Sequence, residues 1–134
     1  MKQIMLIALL AASAAAAAVS PREMLDTYAA EAVRQSPGFQ PSARRGAEFY
    51  AKRFAVSDKM PACTACHTDS PVQPGRHAVT GKAIKPLAPR AEAARFTDPA
   101  KTEKWFRRNC TEVLGRECSA AEKADFILFL AEGL

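Results

Sequence analysis

No run in this sequence alternates polar and apolar residues with a period of two, so a sheet is not its organising layer. Past the N-terminus, no apolar stretch approaches the ~20 residues that a membrane-spanning helix needs. Charge of one sign is also scarce: the formal net charge is +5, with acids and bases interspersed, which argues against a nucleic-acid surface. Nothing in the composition marks a disordered chain or a repeat array, and 134 residues exclude a multidomain protein, a channel or a large enzyme with its own nucleotide fold. Two His, one Trp and four Cys are what remains for chemistry.

The opening MKQIMLIALLAASAAAAAVS reads as a secretory signal. Lys2 supplies the charge, Ile4 to Leu10 the short apolar core, and Ala14 to Ala18 the small-residue cleavage zone. We expect residues 1–18 to be a cleaved leader and 19–134 to form a single domain, exported to the periplasm with no membrane span left after cleavage. That compartment is oxidising, so its cysteines should be cross-linked or ligated.

Helical periodicity runs through the mature chain. Ser20-Pro21-Arg22-Glu23 is a start signal, with Met24, Leu25, Tyr28, Ala29, Ala32 and Val33 on one face and a stop at Ser36-Pro37-Gly38. A second helix is expected from a Ser42 cap to about Phe54, with Gly46 a turn from Phe49 and Tyr50; glycine there suggests a close backbone approach. A third begins at Asp98-Pro99, puts Trp105, Phe106, Asn109, Cys110 and Val113 on one face, and ends at Gly115. Ser119 and Glu122 open a last helix whose Phe126, Ile127, Phe129, Leu130 and Leu134 turn mostly inward. Between the second and third, six of the nine prolines fall in residues 61–99, and little periodicity shows beyond a possible helical turn near Arg90 to Arg95. So long a loop in a compact domain makes sense if it wraps something that is not protein.

Cys63-Thr64-Ala65-Cys66-His67 names that object. Two thiols three residues apart can each add to one vinyl group of a haem, and the next residue aims its imidazole at the iron. A thioredoxin-like site would want a βαβ pattern, and a four-cysteine zinc site a second closely spaced pair. Neither is present, because Cys110 and Cys118 stand eight apart. Those two read as a disulfide, which requires the helix to turn back near Gly115-Arg116.

The ligand on the iron's other face separates an electron carrier from a ligand binder. No Met follows His67; Met24 fits the core, and Met60 lies too close to the attachment loop to reach over the ring. His77, Lys82, Lys85 and Asn109 remain as candidates. An Asn on the expected apolar face of the third helix would be a buried amide in need of a partner, which a carbonyl or a haem propionate could equally provide.

The layout resembles class I cytochromes c, and more specifically the sphaeroides haem protein family. The resemblance is carried by Thr80-Gly81-Lys82, Pro86-Leu87-Ala88-Pro89, Arg95-Phe96-Thr97-Asp98, Glu103-Lys104-Trp105, Arg108-Asn109-Cys110 and Gly115-Arg116-x-Cys118, from about Arg44 onward. It implies a small all-α domain of class I cytochrome c fold, wrapped around one haem c that is covalently attached through Cys63 and Cys66. It also implies His67 and the Asn109 oxygen as iron ligands, a Cys110–Cys118 disulfide, and a dihaem cytochrome c as redox partner. An amide oxygen is a hard, weak ligand that suits high-spin ferric iron and should leave on reduction, so that a diatomic molecule such as O2 or NO can bind.

The leading expectation is thus an exported monohaem cytochrome that accepts electrons and binds a diatomic ligand once Asn109 dissociates. Lys82, Lys85, Lys101, Lys104, Arg107 and Arg108 would steer a partner if they surround the haem edge. A plain six-coordinate electron carrier is the first alternative. A haem enzyme acting on oxygen or nitrogen species is the second, with His77 its sole distal candidate.

Overall fold

The computed structural model describes residues 17–133. In chain order these form α1 (Pro21–Gln35), α2 (Ala43–Ala51), α3 (Thr64–His67), β1 (Gly75–Arg76), β2 (Ala83–Ile84), α4 (Pro99–Leu114) and α5 (Ala120–Glu132). Leu134 and residues 1–16, with the charge and apolar core of the expected leader, lie outside the described residues. Val19 donates its N–H to Thr97 O and packs against the core.

Local chemistry sets the helix ends. Ser20 and Glu23 form a reciprocal capping box at α1, with Pro21 in the first position, and Ser119 and Glu122 do the same at α5. Ser42 caps α2 and Asp98 caps α4, while Gly115 closes α4 in the left-handed conformation at φ 72°. The second helix stops at Ala51, short of the expected Phe54, because Lys52 turns to extended backbone.

The core is built on α5, which packs against both α1 and α2. Its Ala124, Ile127 and Leu130 are fully buried, with Phe126 and Phe129 nearly so; each large apolar side chain contributes ~1.5–3 kcal/mol by leaving water. Gly46 permits the approach of α2: a Cβ there would stand 2.1 Å from Asp125 O and 2.8 Å from Phe129 Cβ. Buried Asp125 then ties the start of α2 down, accepting from Ser42 N (2.6 Å) and from Arg45 Nε (2.7 Å) and Nη2 (2.9 Å).

Two expected faces are narrower than the periodicity suggests. On α4 the buried residues are Thr102, Phe106, Cys110 and Val113, whereas Trp105 is 41% exposed and Asn109 is also exposed. Phe106 centres the buried face, its ring lying 5.6 Å from Tyr28, 5.9 Å from Phe126 and 6.3 Å from Phe96. On α1, Met24, Leu25 and Ala32 of the expected face are buried, with Tyr28 and Ala29 partly so, and Val33 at its end stays exposed. Cys110 and Cys118 are joined across the Gly115 turn with Cα atoms 5.6 Å apart, a closure contributing about 2–3 kcal/mol in the chain-entropy model.

The proline-rich middle is not without strands. β1 and β2 pair antiparallel, Gly75 opposite Ile84 and Arg76 opposite Ala83; two-residue strands are too short for alternation to show in the sequence. Pro71 O accepts from both Leu87 N and Ala88 N at 2.9 Å, and Arg95 reaches Pro86 O and Lys85 O at 2.7 Å each. Residues 89–96 form successive turns, with a single helical turn closed by Glu92 N donating to Ala88 O at 3.0 Å near the one expected there.

Candidate haem site

Cys63, Cys66 and His67 share one turn of helix. Cys63 is its cap residue, and its carbonyl accepts from Cys66 N (3.2 Å) and His67 N (3.1 Å). Both thiols are free and half-buried. Burial pushes the Cys63 thiol up to about 11, so it stays protonated. Burial, with the nearby Arg95 and His77 adding to it, pulls His67 down to about 4. Its imidazole is therefore neutral, the form that ligates a metal.

Two neighbours grip this turn from different elements. β1 lies directly on it: a Cβ on Gly75 would stand 2.1 Å from Cys66 O and 3.1 Å from His67 Cα. From α2, the buried Tyr50 hydroxyl donates to Thr68 O at 2.6 Å, with His67 O at 3.1 Å. Thr68 itself has φ 63° and ψ 176°, a region left almost entirely to glycine that costs ~1–3 kcal/mol for other residues. Its side chain is tied locally as well, with Ser70 N donating to Thr68 Oγ1 at 3.2 Å.

The donor set fits a haem. Two free thiols at this spacing and an adjacent neutral imidazole are what thioether attachment and proximal ligation use. Cys110 and Cys118 are joined to each other and are not available beside Cys63 and Cys66 for zinc.

The other candidate ligands come from different elements. Asn109 stands on the exposed flank of α4 beside Trp105. Among the described residues no hydrogen bond reaches its side chain. His77 Nδ1 accepts from Val79 N and Thr80 N, each at 3.2 Å, and its backbone N–H donates to Lys82 O at 2.8 Å. It caps the β1–β2 loop, whose neighbouring Ala78 N donates to Cys66 Sγ at 3.2 Å. Lys85 pairs with Glu92 at 2.8 Å, and Lys82 is exposed.

Gly75, the Tyr50 hydroxyl and Arg95 escaped the sequence reading as parts of this site. Gly46 and Tyr50 were visible as a small-and-aromatic pair on one helix, but the hydroxyl's target lies 18 residues away across a loop. Gly75 meets Cys66 through a fold-back without periodicity.

A family model described as a domain of unknown function (DUF1924) matches residues 37–130. The chain is 41% identical over 129 residues to the cytochrome c-type protein SHP of Cereibacter sphaeroides, covering 96% of this chain and 95% of that protein. The structure of oxidized SHP, described as an oxygen-binding cytochrome c, superposes with a TM-score of 0.76 at 40% identity, over 84% of this chain and 96% of SHP. Cytochrome c'' of Methylophilus methylotrophus is 40% identical over 124 residues, 91% of this chain and 86% of that protein. Its solution structure, described in terms of haem-ligand detachment, superposes with a TM-score of 0.74 at 39% identity, over 84% of this chain and 92% of that one.

Proposed function

The chain belongs to the family of c-type cytochromes that includes SHP and cytochrome c'', and from that membership we propose that Cys63 and Cys66 carry the thioether links of its single haem c, with His67 and Asn109 as the iron ligands. When bound, the haem supplies a one-electron couple and, once reduced, a position for a diatomic molecule such as O2 or NO. His67 contributes a neutral imidazole held on a clamped backbone. Asn109 contributes an amide oxygen, a weak donor that favours the ferric state and withdraws on reduction. The observation that carries this reading is the Cys63–His67 turn, which sets two free thiols beside a neutral imidazole; Asn109 is assigned from the family resemblance. SHP is described as oxygen-binding and cytochrome c'' in terms of ligand detachment, which supports the same reading.

We place the mature protein in the periplasm, in keeping with the leader-like N-terminus. No described helix is long and apolar enough to cross a membrane. A redox partner, a dihaem cytochrome c in our reading, would meet a basic surface. On α4, Lys101 and Lys104 are exposed, without an acidic partner among the described residues, in the same helix as Arg107 and Arg108, which pair with Glu117 and Glu112; Lys82 is exposed on the β1–β2 loop. The six-coordinate carrier would need a strong second ligand, and His77 already spends its Nδ1 on its own loop.

Asn109→Ala tests the assignment. If Asn109 holds the ferric position with even ~1.4 kcal/mol, its removal raises ferric affinity for cyanide or azide about tenfold and alters the ferric spectrum. Ferric spectra and anion affinities identical to wild type would sink the Asn109 assignment.

A further inference from the structure

We propose that the Tyr50 hydroxyl is a positioning group for His67, locking the His67–Thr68 backbone and with it the direction in which the imidazole is presented. This rests on His67 being the iron ligand. The packing role of Tyr50 needs only its ring, which meets Phe129 at 5.6 Å and Phe126 at 6.1 Å between centroids. Phenylalanine would serve there equally well.

The hydroxyl does something else. Its single hydrogen faces Thr68 O at 2.6 Å and His67 O at 3.1 Å, the carbonyls of the C-cap of α3 and of its last residue. Between them lies the one described β-branched residue with positive φ, Thr68 at 63°. Such a residue persists only where its surroundings over-determine it. The local ties of Thr68, from its N–H to Thr64 O at 3.0 Å and from Ser70 N to its hydroxyl at 3.2 Å, come from the same short segment and travel with it. Among the described residues, Tyr50 alone anchors its carbonyl to the core helices. Gly75 packs its backbone closely against Cys66 and His67 in the same turn. Removing the hydroxyl therefore lets the peptide after His67 relax toward ordinary dihedrals, rotating the His67 Cα and its ring.

The test uses the ferric holoprotein and reads the hyperfine-shifted proton resonances of the His67 ring and the haem methyls, which follow imidazole orientation. Tyr50→Phe is expected to shift or double these lines. Thr68→Gly, which makes the same backbone unstrained, should leave them in place. The double variant Tyr50→Phe with Thr68→Gly should return them toward wild type, and should also restore holoprotein if Tyr50→Phe alone fails to accumulate. A Tyr50→Phe spectrum superimposable on wild type with only a lowered Tm would overturn the proposal, leaving a purely structural role. So would a double variant no closer to wild type than the single one. A wild-type spectrum without any hyperfine-shifted His67 ring would overturn the ligation reading itself, and the clamp's purpose with it.

Discussion

Gly75→Ala is expected to destabilise the protein by at least ~3 kcal/mol and to cut the fraction recovered with covalent haem several-fold. The added Cβ would sit 2.1 Å from Cys66 O, with Cys66 C and His67 Cα at 3.1 Å. All three are backbone atoms, so no side chain can swing aside, and relief requires β1 to lift from α3. Lifting it disturbs more than one contact. β1 pairs with β2, their loop is capped by His77, and Ala78 N reaches Cys66 Sγ. The wrap would lose its seat on the turn that carries both thiols and the imidazole. Denaturant unfolding and haem absorbance per mole of protein check this. Wild-type stability and loading would show that the close seating of β1 is dispensable.

Glu103→Ala is expected to lower stability by ~3 kcal/mol, the low end for breaking a buried ion pair because Glu103 is 37% exposed. Lys123 is the deeper partner, with Nζ 2.8 and 2.9 Å from the Glu103 oxygens and 5.1 and 5.7 Å from the Tyr28 and Phe106 ring centroids. Without Glu103 its ammonium would be buried on α5 with only those rings to answer it. Replacing Lys123 by Met as well should recover much of the loss. The pair also predicts a pH dependence. Burial raises the Glu103 carboxyl, but hydrogen bonds from Lys123 and Tyr28 outweigh that and hold it below the ordinary 4.5. A folded value below the unfolded one gives stability that is full above the ordinary carboxylate range and is lost as pH falls through the folded value. Below pH 4.5 the gap between wild type and Glu103→Ala should therefore narrow in acid melts. A gap that stays constant through that range would contradict the assigned role.

What could be read in advance was local. Ser20, Ser42, Asp98, Gly115 and Ser119 act on backbone groups within a turn of themselves, so their spacing alone marks the helix ends. The Cys63–His67 motif is likewise contained in one turn. Contacts across the chain were not legible. That α4 buries Phe106 more deeply than Trp105 depends on rings from Tyr28, Phe96 and Phe126, which periodicity cannot weigh. The β1–β2 ribbon and the Tyr50 hydroxyl's reach to Thr68 depend on how a proline-rich segment folds back, where neither helical nor strand period exists to be seen.

The central claim is that the position opposite His67 is weakly held and opens on reduction. Absorption spectra of the ferric and dithionite-reduced protein, the latter repeated under CO, test it most directly. High-spin ferric bands and a reduced spectrum displaced by CO are the predicted result. A low-spin spectrum in both oxidation states, unmoved by CO, would contradict it and leave a six-coordinate electron carrier.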